Sequence, residues 1–209
     1  MSSALSSAAK RTLDAALSAA GLLVSAPLWL AIAVAIKIDS PGSVFFAQPR
    51  VGERGRVFRA LKFRSMVADA ERDVGPLQAA ENDPRVTRIG RILRATAMDE
   101  LPQLWNVFRG DMSFVGPRAL RPDELEIKDS ASRVVPLEDV SGFVERSSVR
   151  PGLTGLAQIY APRDVLRRHK FRYDRLYIKR QSLGLDVRLI LLSFWISARG
   201  AWETRSRKF

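Results

Sequence analysis

Apolar residues run almost unbroken from position 22 to 36, and no charged residue occurs from 15 to 36. The stretch has no polar face, so it belongs either in a protein interior or in lipid. Its 22 residues, at 1.5 Å each, reach about 33 Å, roughly the hydrocarbon thickness of a bilayer. A membrane helix is therefore the first expectation. Pro27 falls mid-run, where it removes a backbone donor and kinks a helix. Ser25 is placed to help satisfy the freed backbone groups. Lys10 and Arg11 precede the run, and Lys37, Arg50, Arg54 and Arg56 follow it, which gives no inside–outside asymmetry. A kinked helix entering and leaving by the cytoplasmic face accounts for both features. A straight span, a buried core helix and a cleaved signal peptide ending near Ala33-Val34-Ala35 compete with it.

Beyond Asp39-Ser40-Pro41-Gly42 the pattern changes to short elements. Residues 44–46 and 57–63 read as strands around Gly52-Glu53-Arg54-Gly55, a hairpin. Residues 65–72 read as a short helix, and 73–84 as a polar loop. Helical spacing covers 86–93 and resumes over 102–108; 110–117 reads as loop, and 122–127 as a helical turn or two. Residues 128–148 are polar without a strong period. Arg150-Pro151-Gly152-Leu153-Thr154-Gly155 reads as a tight turn, followed by a basic helix over 163–180. The last apolar segment, 183–198, is too short in its densest part to span a bilayer. It fits a helix lying in the membrane interface or one packed into the core.

Composition narrows the chemistry. The 209 residues carry a net charge of +12, and all the basic residues except Lys10 and Arg11 lie beyond residue 36. An anionic partner is implied: acidic lipid, a phosphorylated substrate or nucleic acid. The absence of cysteine excludes disulfides and thiolate metal sites. A single histidine, His169, speaks against a histidine-based metal site or triad. Carboxylates, lysines and arginines must carry any reaction.

Asp99-Glu100 is the candidate centre. Arg85, Arg88, Arg91 and Arg94 approach it at every third position, and Gly116-Pro117-Arg118 follows it. By itself Thr96-Ala97-Met98-Asp99 resembles a capping box, and acidic residues suit a helix amino terminus. The arginines alone could form a solvated face. Together they fit another chemistry: a carboxylate attacks phosphorus only when cations screen both charges. Lys62, Arg64, Arg94, Arg118 and Arg150 are the candidates for that screening. Adjacent helical residues point about 100° apart, so one carboxylate can face phosphorus while its neighbour holds metal or handles a proton.

Several blocks then resemble one family: Pro41-Gly42-Ser43-Val44-Phe45-Phe46-Ala47-Gln48, Lys62-Phe63-Arg64-Ser65-Met66, Asp99-Glu100-Leu101-Pro102-Gln103-Leu104-Trp105-Asn106-Val107, Gly110 to Arg118, and Arg150 to Gln158. In order and spacing they resemble the bacterial sugar transferases, the small monotopic phosphoglycosyl transferases. The resemblance implies transfer of a phosphosugar from a nucleoside diphosphate sugar, usually UDP-linked, to polyprenyl (undecaprenyl) phosphate, releasing UMP. It implies Mg²⁺ and a covalent phosphosugar–aspartate intermediate on Asp99, with Glu100 as metal- or proton-handling partner. Lys62, Arg94 and Arg118 match phosphate contacts, and Arg150 matches less closely a phosphate or nucleotide contact. Two positions depart from the family: its Ser-Pro helix break is Ser25-Ala26-Pro27 here, and Ala119 replaces a second proline after Gly-Pro-Arg.

The resulting expectation is an α+β chain, mainly helical, with a re-entrant membrane helix over 1–37. A catalytic domain over 38–209, with interfacial amphipathic helices and a small hairpin region, would sit on the cytoplasmic face of a bacterial inner membrane. Its partners would be the two substrates and anionic lipid rather than nucleic acid. A DNA-binding or adaptor protein and a diphosphate phosphatase are the rival classes.

Overall fold

The structure is a computed structural model describing residues 2–68, 70, 83–122, 124–127, 134–162 and 165–202. It is α+β, with helices outweighing three small two-stranded sheets. One helix, α1 (Ser2–Asp39), contains the whole apolar run and is long and apolar enough to cross a membrane. Pro27 lies inside it. The Ser25 hydroxyl donates to the Gly21 carbonyl at 2.6 Å and accepts from the Trp29 indole at 3.0 Å. It therefore serves a carbonyl one turn back, a bond that tends to bend a helix.

Both ends of α1 are fastened, and its middle is bare. At the amino end Asp14 accepts from the Ser113 hydroxyl and the Phe114 amide. Arg11 donates to the Val107 and Phe108 carbonyls, and Lys10 pairs with buried Asp186. At the carboxyl end Ile32 and Ile36 pack with Phe63 and Leu93, Asp39 accepts from the Ile89 amide, and Arg64 holds the Ser40 and Pro41 carbonyls. Between these ends Leu23 and Val24 are 78% and 82% exposed.

The expected hairpin forms from β1 (Phe45–Val51) and β2 (Val57–Phe63), antiparallel with Phe45 opposite Phe63. Next come α2 (Arg88–Ala95) and α3 (Gln103–Arg109). Thr87 caps α2 by accepting from the Gly90 amide. Within the segment expected to be loop, β3 (Ser113–Val115) pairs in parallel with β6 (Gly152–Thr154), where a tight turn was expected. Three residues are too few to show a strand period. What permits the pairing is backbone proximity: a Cβ on Gly152 would stand 2.1 Å from the Gly116 nitrogen.

Two helical expectations are corrected. None of the described residues of 65–72 is helical: Met66 bridges Val86, and Ala68 and Ala70 lie in a turn closed by the Ala70 amide donating to the Val67 carbonyl. In place of a helical turn at 122–127, β4 (Leu125–Ile127) pairs antiparallel with β5 (Val134–Pro136). The expected polar loop lies almost wholly outside the described residues, as does 128–133. Within 134–148 the chain also forms α4 (Phe143–Arg146).

After α5 (Leu156–Tyr160), the basic helix is α6 (Arg167–Arg180) and the apolar one α7 (Leu183–Ala198). Leu189, Ile190 and Ile196 of α7 pack with Val115, Ile159 and Tyr177 in the core. Leu191 and Phe194 remain exposed on its other face. Of the two readings of this segment, packing into the core therefore holds for one face.

Candidate active site

A left-handed residue sets up the site. Ala97 (φ 57°, ψ 18°) ends the path of α2 and turns the chain into a 3-10 turn, Met98–Glu100. Such a conformation costs a residue with a Cβ about 1 kcal/mol or more, so the surroundings hold it. The expected capping box is absent: Thr96 closes α2, its hydroxyl donating back to the Ile92 carbonyl. Asp99 and Glu100 instead ride on the 3-10 turn directly before α3.

Asn106 on α3 fixes this turn against the hairpin. Its amide donates to the Arg59 carbonyl at 2.9 Å and accepts from the Leu61 amide at 3.0 Å. The next residue, Lys62, thereby faces the carboxylates. Its Nζ lies 2.5 Å from Glu100 Oε1 and 3.9 Å from Asp99 Oδ2. Arg118, three residues beyond β3, approaches Glu100 Oε1 at 3.6 Å. The Gly152 amide donates to the Pro117 carbonyl and the Gly116 amide to the Thr154 carbonyl. Buried Arg146 reaches the Arg118 carbonyl at 2.5 Å while paired with Asp174 at 2.9 Å. Arg118 thus projects from a backbone held on both sides.

The two carboxylates are electrostatically distinct. Burial, reinforced by the Glu100 charge, pushes Asp99 up to about 6, against the pull of Lys62, Arg94 and Arg118. Burial also works against the Glu100 charge. There Lys62, Arg118 and Arg50 outweigh it and bring the group down to about 2. Glu100 is a fixed anion, and Asp99 is a buried carboxylate poised near neutrality. The surrounding cations are crowded: burial and then Arg118 and Arg121 pull Arg50 down, and burial and Arg118 do the same to Arg167. An anionic ligand would relieve that repulsion.

These groups line a cavity of about 730 Å³, within the range of small-molecule sites. It brings together Asp99, Glu100, Lys62, Arg94 and Arg118. Arg150 stands apart, facing Glu53 at 3.6 Å. The arginine series divides as well: Arg85 clasps Asp83, Arg88 and Arg91 point outward, and Arg94 lines the cavity. Arg64 is spent on the carbonyls that end α1. Ser25 and Pro27 lie in α1, outside this cavity. Sequence reasoning missed Asn106, Arg146 and Arg50, because nothing in their local pattern shows which distant carbonyl they bind. Among the described residues no three acidic or histidine side chains form a metal cluster. The two carboxylates on the cavity wall, Asp99 and Glu100, are donors that a hard cation such as Mg²⁺ would accept if phosphate and water completed its shell.

A family model described as "Bacterial sugar transferase" matches residues 5–200. The chain is 42% identical, over 87% of its length, to a UDP-N-acetylgalactosamine-undecaprenyl-phosphate N-acetylgalactosaminephosphotransferase of Aeromonas hydrophila. It is 43% identical over 88% of its length to an undecaprenyl-phosphate glucose phosphotransferase of Komagataeibacter xylinus. The matches span 41% and 35% of those proteins, so the chain resembles less than half of each. An exopolysaccharide production protein, PSS, of Rhizobium leguminosarum bv. phaseoli is 42% identical with 87% of the chain and 90% of the relative covered. The chain belongs to the bacterial sugar transferase family.

Proposed function

We propose that the chain is a membrane-anchored phosphoglycosyl transferase that moves a sugar phosphate from a UDP-sugar to undecaprenyl phosphate, releasing UMP and initiating cell-surface glycan assembly. The carrying observation is the unequal carboxylate pair in a cation-lined cavity. The names of the relatives supply the substrate classes.

Asp99, once ionised, attacks the phosphorus that bears the sugar. An aspartyl oxygen–phosphorus bond forms, the bridging phosphorus–oxygen bond breaks, and its electron pair leaves with UMP. A phosphate oxygen of the polyprenyl acceptor then attacks the same phosphorus, and the aspartyl bond breaks, restoring Asp99. Lys62, Arg94 and Arg118 hold the phosphoryl oxygens, whose charge would otherwise repel the nucleophile. Glu100 keeps Lys62 and Arg118 oriented. Asp99 and Glu100 are the residues that would hold Mg²⁺, whose charge neutralises the diphosphate. Arg150, outside the cavity, is left to a nucleotide contact at most.

The anchor in this reading is re-entrant. Lys10, Arg11 and Asp14 at one end of α1, and Ile36 and Asp39 at the other, hold the same body, while the apolar middle is bare. That arrangement favours a helix whose two ends share one side of the membrane, dividing the chain into an anchor over 1–37 and a catalytic domain over 38–209. The cytoplasmic face of the inner membrane supplies both substrates to such a site. The outward apolar face of α7 suits the membrane interface.

The test is UMP release in detergent with Mg²⁺ and a panel of UDP-sugars, with and without undecaprenyl phosphate. Turnover that requires the lipid phosphate is expected. Release at the same rate without lipid would make the protein a hydrolase instead.

A further inference from the structure

Gln103 carries a buried group that the proposed mechanism does not use. The residue is 4% exposed, and its Nε2 has no hydrogen-bond partner among the described residues. A buried donor left without an acceptor costs about 1–3 kcal/mol, so an occupant that accepts from it is favoured. Gln103 stands three residues after Glu100. Leu101 and Pro102 between them are helical, which puts the two side chains on one side of the turn. Both line a small second void of about 10 Å³, shared with Lys62, Arg118, Arg50 and Met112. That is about the size of one water, and a water needs two to four polar partners. The ion pairs of Glu100 with Lys62 and Arg118 both run to Oε1, so a further donor from the void would meet Oε2.

We propose that Gln103 holds one buried water against Glu100 and is a positioning residue for that carboxylate. The inference rests on the transferase reading above. The water accepts from Gln103 Nε2 and donates to Glu100. It fixes the carboxylate plane, and with it the directions of Lys62 and Arg118. Gln103 touches no substrate atom in this account.

Two substitutions separate this role from simple packing. Gln103→Met fills the void and excludes the water, whereas Gln103→Ala enlarges it and leaves room for one or more waters. If Gln103 were only packing, Met would be tolerated and Ala would be the damaging change. The water predicts the reverse for catalysis. Gln103→Met should lower kcat by about 10-fold or more with an unchanged KM for UDP-sugar and an undiminished melting temperature. Gln103→Ala should retain the higher kcat of the two although it melts lower. A Met variant with parental kcat overturns the proposal while leaving the transferase reading intact. Should the parent chain show no UMP release, that reading fails, and the site is then judged by a crystal structure at 2 Å or better. Density for a water between Gln103 and Glu100 supports the proposal, and a void without it contradicts it.

Discussion

Lys62 Nζ stands 2.5 Å from Glu100 Oε1 and 3.9 Å from Asp99 Oδ2, so one ammonium serves both carboxylates unequally. Glu100 takes the short contact and stays ionised. Asp99 takes burial and the repulsion of its neighbour, with only a distant share of the cation. The division suits a nucleophile beside a fixed electrostatic partner, and it leaves a signature in stability.

Asp99 titrates near 6 in the folded chain, against an ordinary value of 3.8. The folded state therefore binds this proton more tightly than the unfolded state does. Its contribution to stability is fully present below about pH 4 and is lost as pH rises through 6. Asp99→Asn removes the ionisation, so the variant should melt higher than the parent at pH 8, with the gain shrinking as pH falls to 4.5. The scale is about 2–4 °C for each kcal/mol in a chain of this size. Differential scanning in detergent across that pH range checks it. A variant that melts lower than the parent at pH 8 would contradict the burial argument.

A second ion pair fastens α1. Lys10 donates to Asp186 Oδ2 at 2.7 Å and to the Val115 carbonyl at 3.1 Å, and the Tyr177 hydroxyl donates to Asp186 Oδ1 at 2.8 Å. Asp186→Leu leaves the Lys10 ammonium uncompensated at a cost of about 3–5 kcal/mol, a fall in Tm of about 6–20 °C. Removing both charges in Lys10→Met/Asp186→Leu should recover most of that loss. A double variant no more stable than Asp186→Leu would mean that Lys10 gains nothing from Asp186.

The chain has no cysteine, which makes the path of α1 directly measurable. Ser7 and Ser43 are exposed near its two ends. Single Ser7→Cys and Ser43→Cys variants should both resist a membrane-impermeant maleimide in intact cells and react once the cells are opened. Labelling of one site alone in intact cells would make α1 a straight span.

Local pattern made some elements legible and left others hidden. The bounds of α7, and the pairing of 57–63 with the residues after Gly42, follow from apolar runs closed by glycine, serine or proline. The β3–β6 pair was hidden because each strand has three residues, and its partner lies almost forty positions away. Only the close approach of Gly116 to Gly152 permits it, and a glycine reads locally as a turn. At the site, Asp99, Glu100, Lys62 and Arg118 were legible from the blocks that resemble the family and Arg94 from the arginine series before them, and the structure brings all five to one cavity. Thr96 misled as a cap because Ala97 takes a left-handed conformation that a residue with a Cβ rarely adopts. The supporting residues Asn106 and Arg146 bind backbone carbonyls of distant segments, those of Arg59 and Arg118, and no spacing along the chain records that.

The central claim is that Asp99 becomes covalently bonded to the sugar-bearing phosphate. Intact-protein mass spectrometry after brief incubation with UDP-sugar and Mg²⁺, without lipid acceptor, measures it directly. The parent chain should gain the mass of one sugar phosphate, release a matching amount of UMP and lose the added mass when undecaprenyl phosphate is supplied. Asp99→Asn should show neither the added mass nor UMP. An Asp99→Asn variant that still acquires the sugar phosphate, or turns over near the parental rate, would contradict the account.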